Sequence, residues 1–481
     1  MDGIFVGKAA GDTGLAAINI AWPIPALITA LGIGIGTGGS VLYSHYRGRG
    51  EQKVCENLFE LTMTLLIGTG ILATILLSLV QKPFLEILGA AGSVQTEAIK
   101  YTAIIIAGSI LQVAGTGIMP LLRNMNQSLG AMLSMAAGFA VNILVNYYLM
   151  FRLNMGIKGA AFGTVTAQAV VVMAGCAILW KTGYRKWRPL WHRQYAADIF
   201  KIGITAFGTS LAPTAALIFT NLQCLRYGGN AAVACYAVIS YIVFPVQYFL
   251  TGIGEGVQPL ISFYHGAKKE MEVRAVKKNR LHRRNYFWNH GGSSYDLYDS
   301  VYWRMVWSVS RVKAVLFFGD ADQFICISVN GNGKLNVSCL NAVMQTKKAV
   351  FMTYIESLAV SPICLFLLPA VWDIRGIWLA LPVTAGIMTG IYGLIRKDRK
   401  MKNKVKFRQL GSVTLFVLPA LIPLIVFWIY PILRSVYISF TDWDYMTPDY
   451  NFVFFDNFIS LFQDARFYDA LGTQLCLHWE R

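Results

Sequence analysis

Long stretches of this chain alternate nothing at all. They are apolar on every face, broken at intervals by short clusters of charge. Residues 13–44, 61–81, 101–122, 124–151, 159–180, 202–225, 227–254, 376–395 and 409–433 contain no Asp, Glu, Lys or Arg, and a tenth run, 349–372, is interrupted by Glu356 alone. A helix needs about 20 apolar residues to cross the hydrocarbon of a bilayer. Backbone polar groups in lipid must be satisfied within the segment, so runs of this length predict helices rather than strands. The pattern predicts an all-α, polytopic integral membrane protein.

A repeat gives the helices an order. Gly34-Ile-Gly36-Thr-Gly38, with Leu42, Ser44, Tyr46 and Gly48, recurs 218 positions later as Gly252-Ile-Gly254-Glu-Gly256, with Leu260, Ser262, Tyr264 and Gly266. Gln127 and Ala131 are echoed at the same offset by Gln345 and Ala349. Two similar helical bundles are a common way for a transporter to build a central site. The expected fold is therefore two pseudo-symmetric helical lobes.

Composition supports the membrane reading and charge orients it. Apolar residues make up 55% of the 481 and charged residues 14%, against about a quarter charged in an average soluble domain. The net charge of +17 invites a nucleic-acid reading, but its placement argues for topology instead. Basic residues gather at 47–53, 181–201, 268–284 and 396–408, whereas the alternate loops at 82–100, 152–158, 226–231 and 373–375 are poorer in Lys and Arg. That alternation is the positive-inside pattern and predicts the four basic loops in the cytoplasm. Nucleic acid is not an expected partner. Eight cysteines are scattered singly with no metal spacing, and Met1-Asp2 opens no secretory signal.

The expected organisation is a first lobe at 1–182, the start of a second lobe at 196–272, an anomalous segment at 273–346, the end of the second lobe at 347–397, and a span with a polar tail at 409–481. Between 280 and 322 the chain carries Arg280, His282, Arg283, Arg284, Asp296, Arg304, Arg311, Lys313, Asp320 and Asp322. Each such charge centred in a lipid-facing helix costs about 2.5–3.5 kcal/mol on insertion scales. The second lobe is therefore expected to be incomplete.

Several motifs resemble one family. Asp2-Gly-Ile-Phe-Val-Gly7, Leu15-Ala-Ala-Ile-Asn19 and Pro23 look like the first two helices of multidrug and toxic compound extrusion (MATE) transporters. Gly252 through Lys268 is similar to their second half, and Asn142-Ile-Leu-Val-Asn146-Tyr147 with Met155-Gly-Ile-Lys-Gly159 to their fifth and sixth helices. The resemblance covers 1–280 and about 344–397. It implies twelve helices around a central cavity, and drug export driven by a proton or sodium gradient. It also implies a first helix truncated before Lys8 and a pattern lost over 281–343 and then resumed in step, as a pair of compensating frameshifts would give. The tail, Val413–Leu433 with Arg434-Ser-Val-Tyr-Ile-Ser-Phe440 and Asn451-Phe-Val453, resembles the first span of a sugar ABC-importer permease.

Ionisable groups inside spans are functional candidates by default. Glu255, between Gly254 and Gly256, is a candidate for cation or proton coupling; the bland reading is a carboxylate hydrogen-bonded across the lobes for packing. Glu356 is a second candidate, with Lys348 and Thr353 near enough for a structural pairing. The resemblance adds Asp2, aligned with the family's first-helix carboxylate. The family often places Asp where Asn146 stands, and Asn cannot titrate. Gln127, Asn142, Asn146, Tyr147, Tyr241 and Gln258 are candidates for lining a substrate cavity, against a structural reading as interhelical glue. Pro23, Pro25, Pro245 and Pro259 are candidate hinges.

Gly34-x-Gly36-x-x-Gly39 matches a dinucleotide fingerprint, but no strand precedes it. With no nucleophile–base pairing in view, an enzyme is not expected. The expected function is a cation-coupled (H+ or Na+) multidrug antiporter of the cell (inner) membrane. It should be monomeric, without cofactor, and act on small cationic or amphipathic molecules. The alternatives are a sugar-permease fragment, a lipid-linked flippase by fold analogy, and a product that inserts without transporting.

Overall fold

The computed structural model describes residues 2–184, 188–189, 191–273, 276, 336–395, 437–438, 440–441, 451–453 and 456. The chain divides into two compact units, Met1–Asn285 with Arg311–Val417, and Tyr286–Ser310 with Leu418–Arg481. Apart from its ends, the anomalous segment 273–346 lies outside the described residues, as does most of the permease-like tail. In the second unit, Thr441 pairs with Phe452 in an isolated antiparallel bridge, and the Phe440 and Phe452 rings stack at 6.0 Å.

The described residues of the first unit are helical. In chain order they form α1 (Asp2–Ala21), α2 (Pro23–Gly48), α3 (Gln52–Ile87), α4 (Gly92–Ala107), α5 (Ser109–Asn124), α6 (Ser128–Tyr147), α7 (Ile157–Lys181), α8 (Arg193–Gly266), α9 (Thr346–Ile355) and α10 (Ser361–Ile395). Single π-helical turns follow α6 at Tyr148–Arg152 and α9 at Glu356–Val360. Among the described residues six helical stretches are long and apolar enough to span a bilayer, and α4 with α5 makes a seventh, bent by 58°. The uncharged run 101–122, which reads as one straight span, is broken at this bend by Gly108.

The outward faces explain the composition. On α3, Leu72, Ile75, Leu76 and Leu79 are each more than half exposed, and α6 presents Leu129, Leu133, Met135 and Phe139 in the same way. Apolar belts of this extent need hydrocarbon rather than water around them. The protein is a multi-pass membrane protein. Inward faces mix large aliphatic side chains such as Ile24, Leu58 and Leu66 with glycines, and the glycines let helices approach closely where lipid supplies no hydrophobic drive. Gly36 of α2 lies against Gly117 of α5, and Gly138 of α6 against Val171 of α7.

The repeat is a structural one. Gly11 and Gly229, 218 positions apart, share backbone angles of φ 61°, ψ −162° and φ 62°, ψ −160°. Gly50 and Lys268 both turn left-handed after the long helices α2 and α8, and so do Asn126 and Met344 after α5 and its counterpart at 336–342. The hydrogen bonds closing these corners repeat as well. Glu51 N donates to Tyr46 O and Lys269 N to Tyr264 O; Gln127 N donates to Leu122 O and Gln345 N to Leu340 O. A left-handed residue just past a helix end satisfies its last carbonyls. The two halves have kept this device even where the side chains no longer match. Gly156 and Asp373 also share angles, φ 54°, ψ −135° and φ 48°, ψ −136°, one residue out of step with the rest.

Candidate functional site

The halves meet along α2 and the C-terminal stretch of α8. Gly36, Ser40, Ser44 and Gly48 recur every fourth residue along α2, as do Gly254, Gln258, Ser262 and Gly266 along α8, so each set forms one stripe of a helix face. A side chain on Gly48 would overlap the carbonyl of Phe263, and one on Gly266 the carbonyl of His45. His45 and Phe263 are themselves 218 positions apart, so the contact is reciprocal, as a pseudo-twofold axis requires. The His45 and His265 rings lie 5.6 Å apart beside it. This crossing is at the end of the bundle that carries the basic residues of 47–53 and Lys268-Lys269.

Above the glycine crossing lies a polar network that joins the halves. Ser44 Oγ donates to Asn124 Oδ1 at 2.6 Å, and Asn124 Nδ2 donates to Gln258 Oε1 at 3.2 Å. Gln258 Nε2 donates in turn to Ser262 Oγ at 3.0 Å, and Ser262 Oγ to the carbonyl of Ala342 at 3.2 Å. Ser44, Asn124, Gln258 and Ser262 are all buried. Burying so many polar groups is tolerable because each finds a partner. Arg47 caps the arrangement, its guanidinium donating to the Asn124 carbonyl at 3.2 Å.

Beside the network, Arg123 at the end of α5 forms an ion pair with Glu255 of α8, Nη1 to Oε2 at 2.6 Å. The Arg123 side chain is 25% exposed and that of Glu255 38%. The expected coupling acid therefore carries a cation of the other half as its neighbour.

The remaining sequence candidates are dispersed. Gln258 belongs to the network. Gln127 is the residue just before α6, at the corner following Asn124, and its side chain makes no capping hydrogen bond. Asn142 and Asn146 bond to each other within the first lobe, Nδ2 to Oδ1 at 3.3 Å, and the Asn146 amide oxygen packs on Gly163 of α7. Tyr147 is half exposed and sits against Phe151 at 5.7 Å. Glu356 is half-buried and opens the π-helical turn after α9. The side chains of Asp2, Tyr241 and Pro245 lie outside the described residues. Pro23 is the first residue of α2, where a missing N–H costs nothing. The Pro25 carbonyl accepts from Gln112 Nε2 at 3.1 Å. Within α8 the non-helical backbone falls at Gly229, with Pro245 and Pro259 inside helical stretches.

Sequence reasoning passed over Arg123, Asn124 and Gln112. Arg123 looks like the gap between two uncharged runs, and its position opposite Glu255 needs the three-dimensional crossing of α5 and α8. The available signal was the lone charge itself: one Arg between two long apolar stretches has few places to go but inward or to the membrane surface.

Comparison with known proteins agrees with this architecture. Residues 1–148 match the MatE family model. The multidrug export protein MepA of Staphylococcus aureus (strain MSSA476) is 24% identical over 394 residues, covering 78% of this chain and 83% of that protein. MepA of Staphylococcus saprophyticus is 22% identical over 396 residues, with the same coverage of 78% and 83%. Among solved structures, a MOP superfamily transporter of Pyrococcus furiosus, described as having a binding pocket of reversed polarity, superposes with a TM-score of 0.74 at 18% identity, over 82% of this chain and 90% of that one. A mutant of the Vibrio cholerae MATE transporter VcmN gives 0.73 at 21% identity, over 82% and 90%. The family match at the N-terminal end, the export proteins aligned along most of the chain and the shared helical fold together make this chain similar to transporters of the MATE family.

Proposed function

We propose that the protein exports small cationic or amphipathic compounds across the cell membrane in exchange for protons or sodium ions, working as a monomer. The observation that carries this reading is the reciprocal crossing of α2 and α8. Two duplicated lobes touch through glycines and a compact polar network at the basic-loop end, an arrangement in which one lobe can rock against the other about a shared passage. The export activity named for the MepA relatives gives the direction of transport. Asp2, Glu255 and Glu356 are the carboxylates proposed to exchange the coupling ion, and Gln258 is proposed to line the passage floor.

Ethidium efflux from cells expressing the chain tests this reading. Efflux above vector control that collapses with a proton uncoupler supports proton exchange. Efflux that resists the uncoupler but requires external sodium supports sodium exchange. Dye retention equal to vector control, with the protein present in the membrane, overturns the proposal.

A further inference from the structure

We propose that Arg123 and Glu255 are a positioning pair that ties the two lobes together at the basic-loop mouth of the passage, and that must part each time this mouth opens. The inference rests on the export reading above and adds to it the contact that holds one state of the cycle.

Three observations carry it. The first is location. Arg123 ends α5 in the first half and Glu255 lies on α8 in the second, and their 2.6 Å contact spans the lobes next to the buried Asn124–Gln258 amide contact.

The second is broken symmetry. The glycine crossing, the left-handed corners and the serine-to-carbonyl bonds of Ser44 to Asn124 and Ser262 to Ala342 all repeat across the dyad. The ion pair does not. The residues 218 positions from Arg123 and Glu255 are Asn341 and Thr37. Asn341 instead donates to the Ile202 carbonyl at 3.4 Å. Packing on that side of the axis is achieved without charge, so charge on the other side has a task beyond packing.

The third is strength. Both side chains keep part of their surface open, 25% and 38%. Ion pairs that keep contact with solvent are weak, whereas fully buried pairs are costly to separate. A tie meant to open and close repeatedly belongs to the weak class, and the neighbouring buried amides supply register.

The test uses the full chain in inside-out membrane vesicles, with the native cysteines replaced by serine and a reporter Thr37→Cys placed at the dyad counterpart of Glu255. A membrane-impermeant maleimide added from the basic-loop side reads how often that mouth is open. Arg123→Ala and Glu255→Gln should each label faster than the parent by roughly five-fold, the size expected for losing one partly exposed pair. The swapped pair, Arg123→Glu with Glu255→Arg, should return labelling towards the parent rate, which loss of folding would not do. Single variants that label at the parent rate overturn the proposal, as does a swapped pair that labels as fast as the singles. Dye efflux, measured separately, distinguishes the two readings. A parent that exports nothing while labelling responds sinks the export reading and leaves the tie standing. A parent that exports while labelling is unmoved sinks the tie alone.

Discussion

Gly48 and Gly266 each press a bare α-carbon onto a carbonyl of the opposing helix, Gly48 on Phe263 and Gly266 on His45. No side chain fits at either position without separating α2 from α8. Gly48→Ala and Gly266→Ala should each destabilise the protein by about 1–3 kcal/mol, the usual cost of overpacking, and by similar amounts because the contacts are reciprocal. Gly252, the first glycine of the second repeat, has open space where a side chain would go. Gly252→Ala should be neutral or stabilising by up to about 1 kcal/mol through helix propensity. Thermal unfolding of the three purified variants in one detergent checks the ordering.

Asn124 is the hub of the buried network, bonded to Ser44 and Gln258 from opposite sides. Asn124→Ala strands both partners and should cost about 1–3 kcal/mol, more than Ser44→Ala. The double variant Asn124→Ala with Gln258→Ala should cost less than the sum of the singles, since the second change removes a group already left without its partner. A double-mutant cycle on unfolding midpoints measures the coupling, and strict additivity would count against a shared network.

Asp373 holds φ 48° and ψ −136° at the break inside α10, in a region that glycine enters freely and other residues do not. Its near counterpart in the first half is Gly156, with almost the same angles. Asp373→Gly should therefore stabilise the protein by about 1 kcal/mol, visible as a raised melting temperature. Gly156→Asp should do the opposite.

Tyr184 sits just past α7 with its hydroxyl 2.8 Å from that of Tyr43 and its ring against Phe59 at 4.5 Å. Burial first, and the hydrogen bond with Tyr43 second, push its phenol well above the ordinary tyrosine range. The folded chain thus holds this proton more tightly than the unfolded chain does. The resulting stability is complete below pH ~10 and is lost as pH rises beyond it. Tyr184→Phe should cost about 1 kcal/mol at neutral pH and flatten the fall in melting temperature above pH ~10. Melting curves across the alkaline range check both effects.

Most of the architecture is legible in the chain because lipid enforces it. Residues 52–87 and 157–181 have to be helices once their apolar runs are placed in a bilayer, and the glycine-rich repeat announces the dyad before any helix is built. What escapes is what depends on crossing geometry. Gly108 looks like one more small residue in the run 101–122, and its role as the break between α4 and α5 follows from how α4 and α5 pack. Glu255 is conspicuous as a lone acid, but its ion pair across the lobes is not. Its partner Arg123 is 132 positions away, too far for any local pattern to connect them. Asn142 and Asn146, one turn apart on α6, share one hydrogen bond, Asn146 Nδ2 to Asn142 Oδ1, which spacing alone allows but does not require.

The left-handed corners at Gly50 and Lys268, and at Asn126 and Met344, carry a lesson about how such a duplication ages. The backbone corners agree although the letters at those places differ, glycine against lysine and asparagine against methionine. A hybrid assembled from two first halves would inherit every corner intact. It would nevertheless set Thr37 opposite Arg123, leaving a bundle of sound outline with no carboxylate facing the cation at its basic-loop mouth.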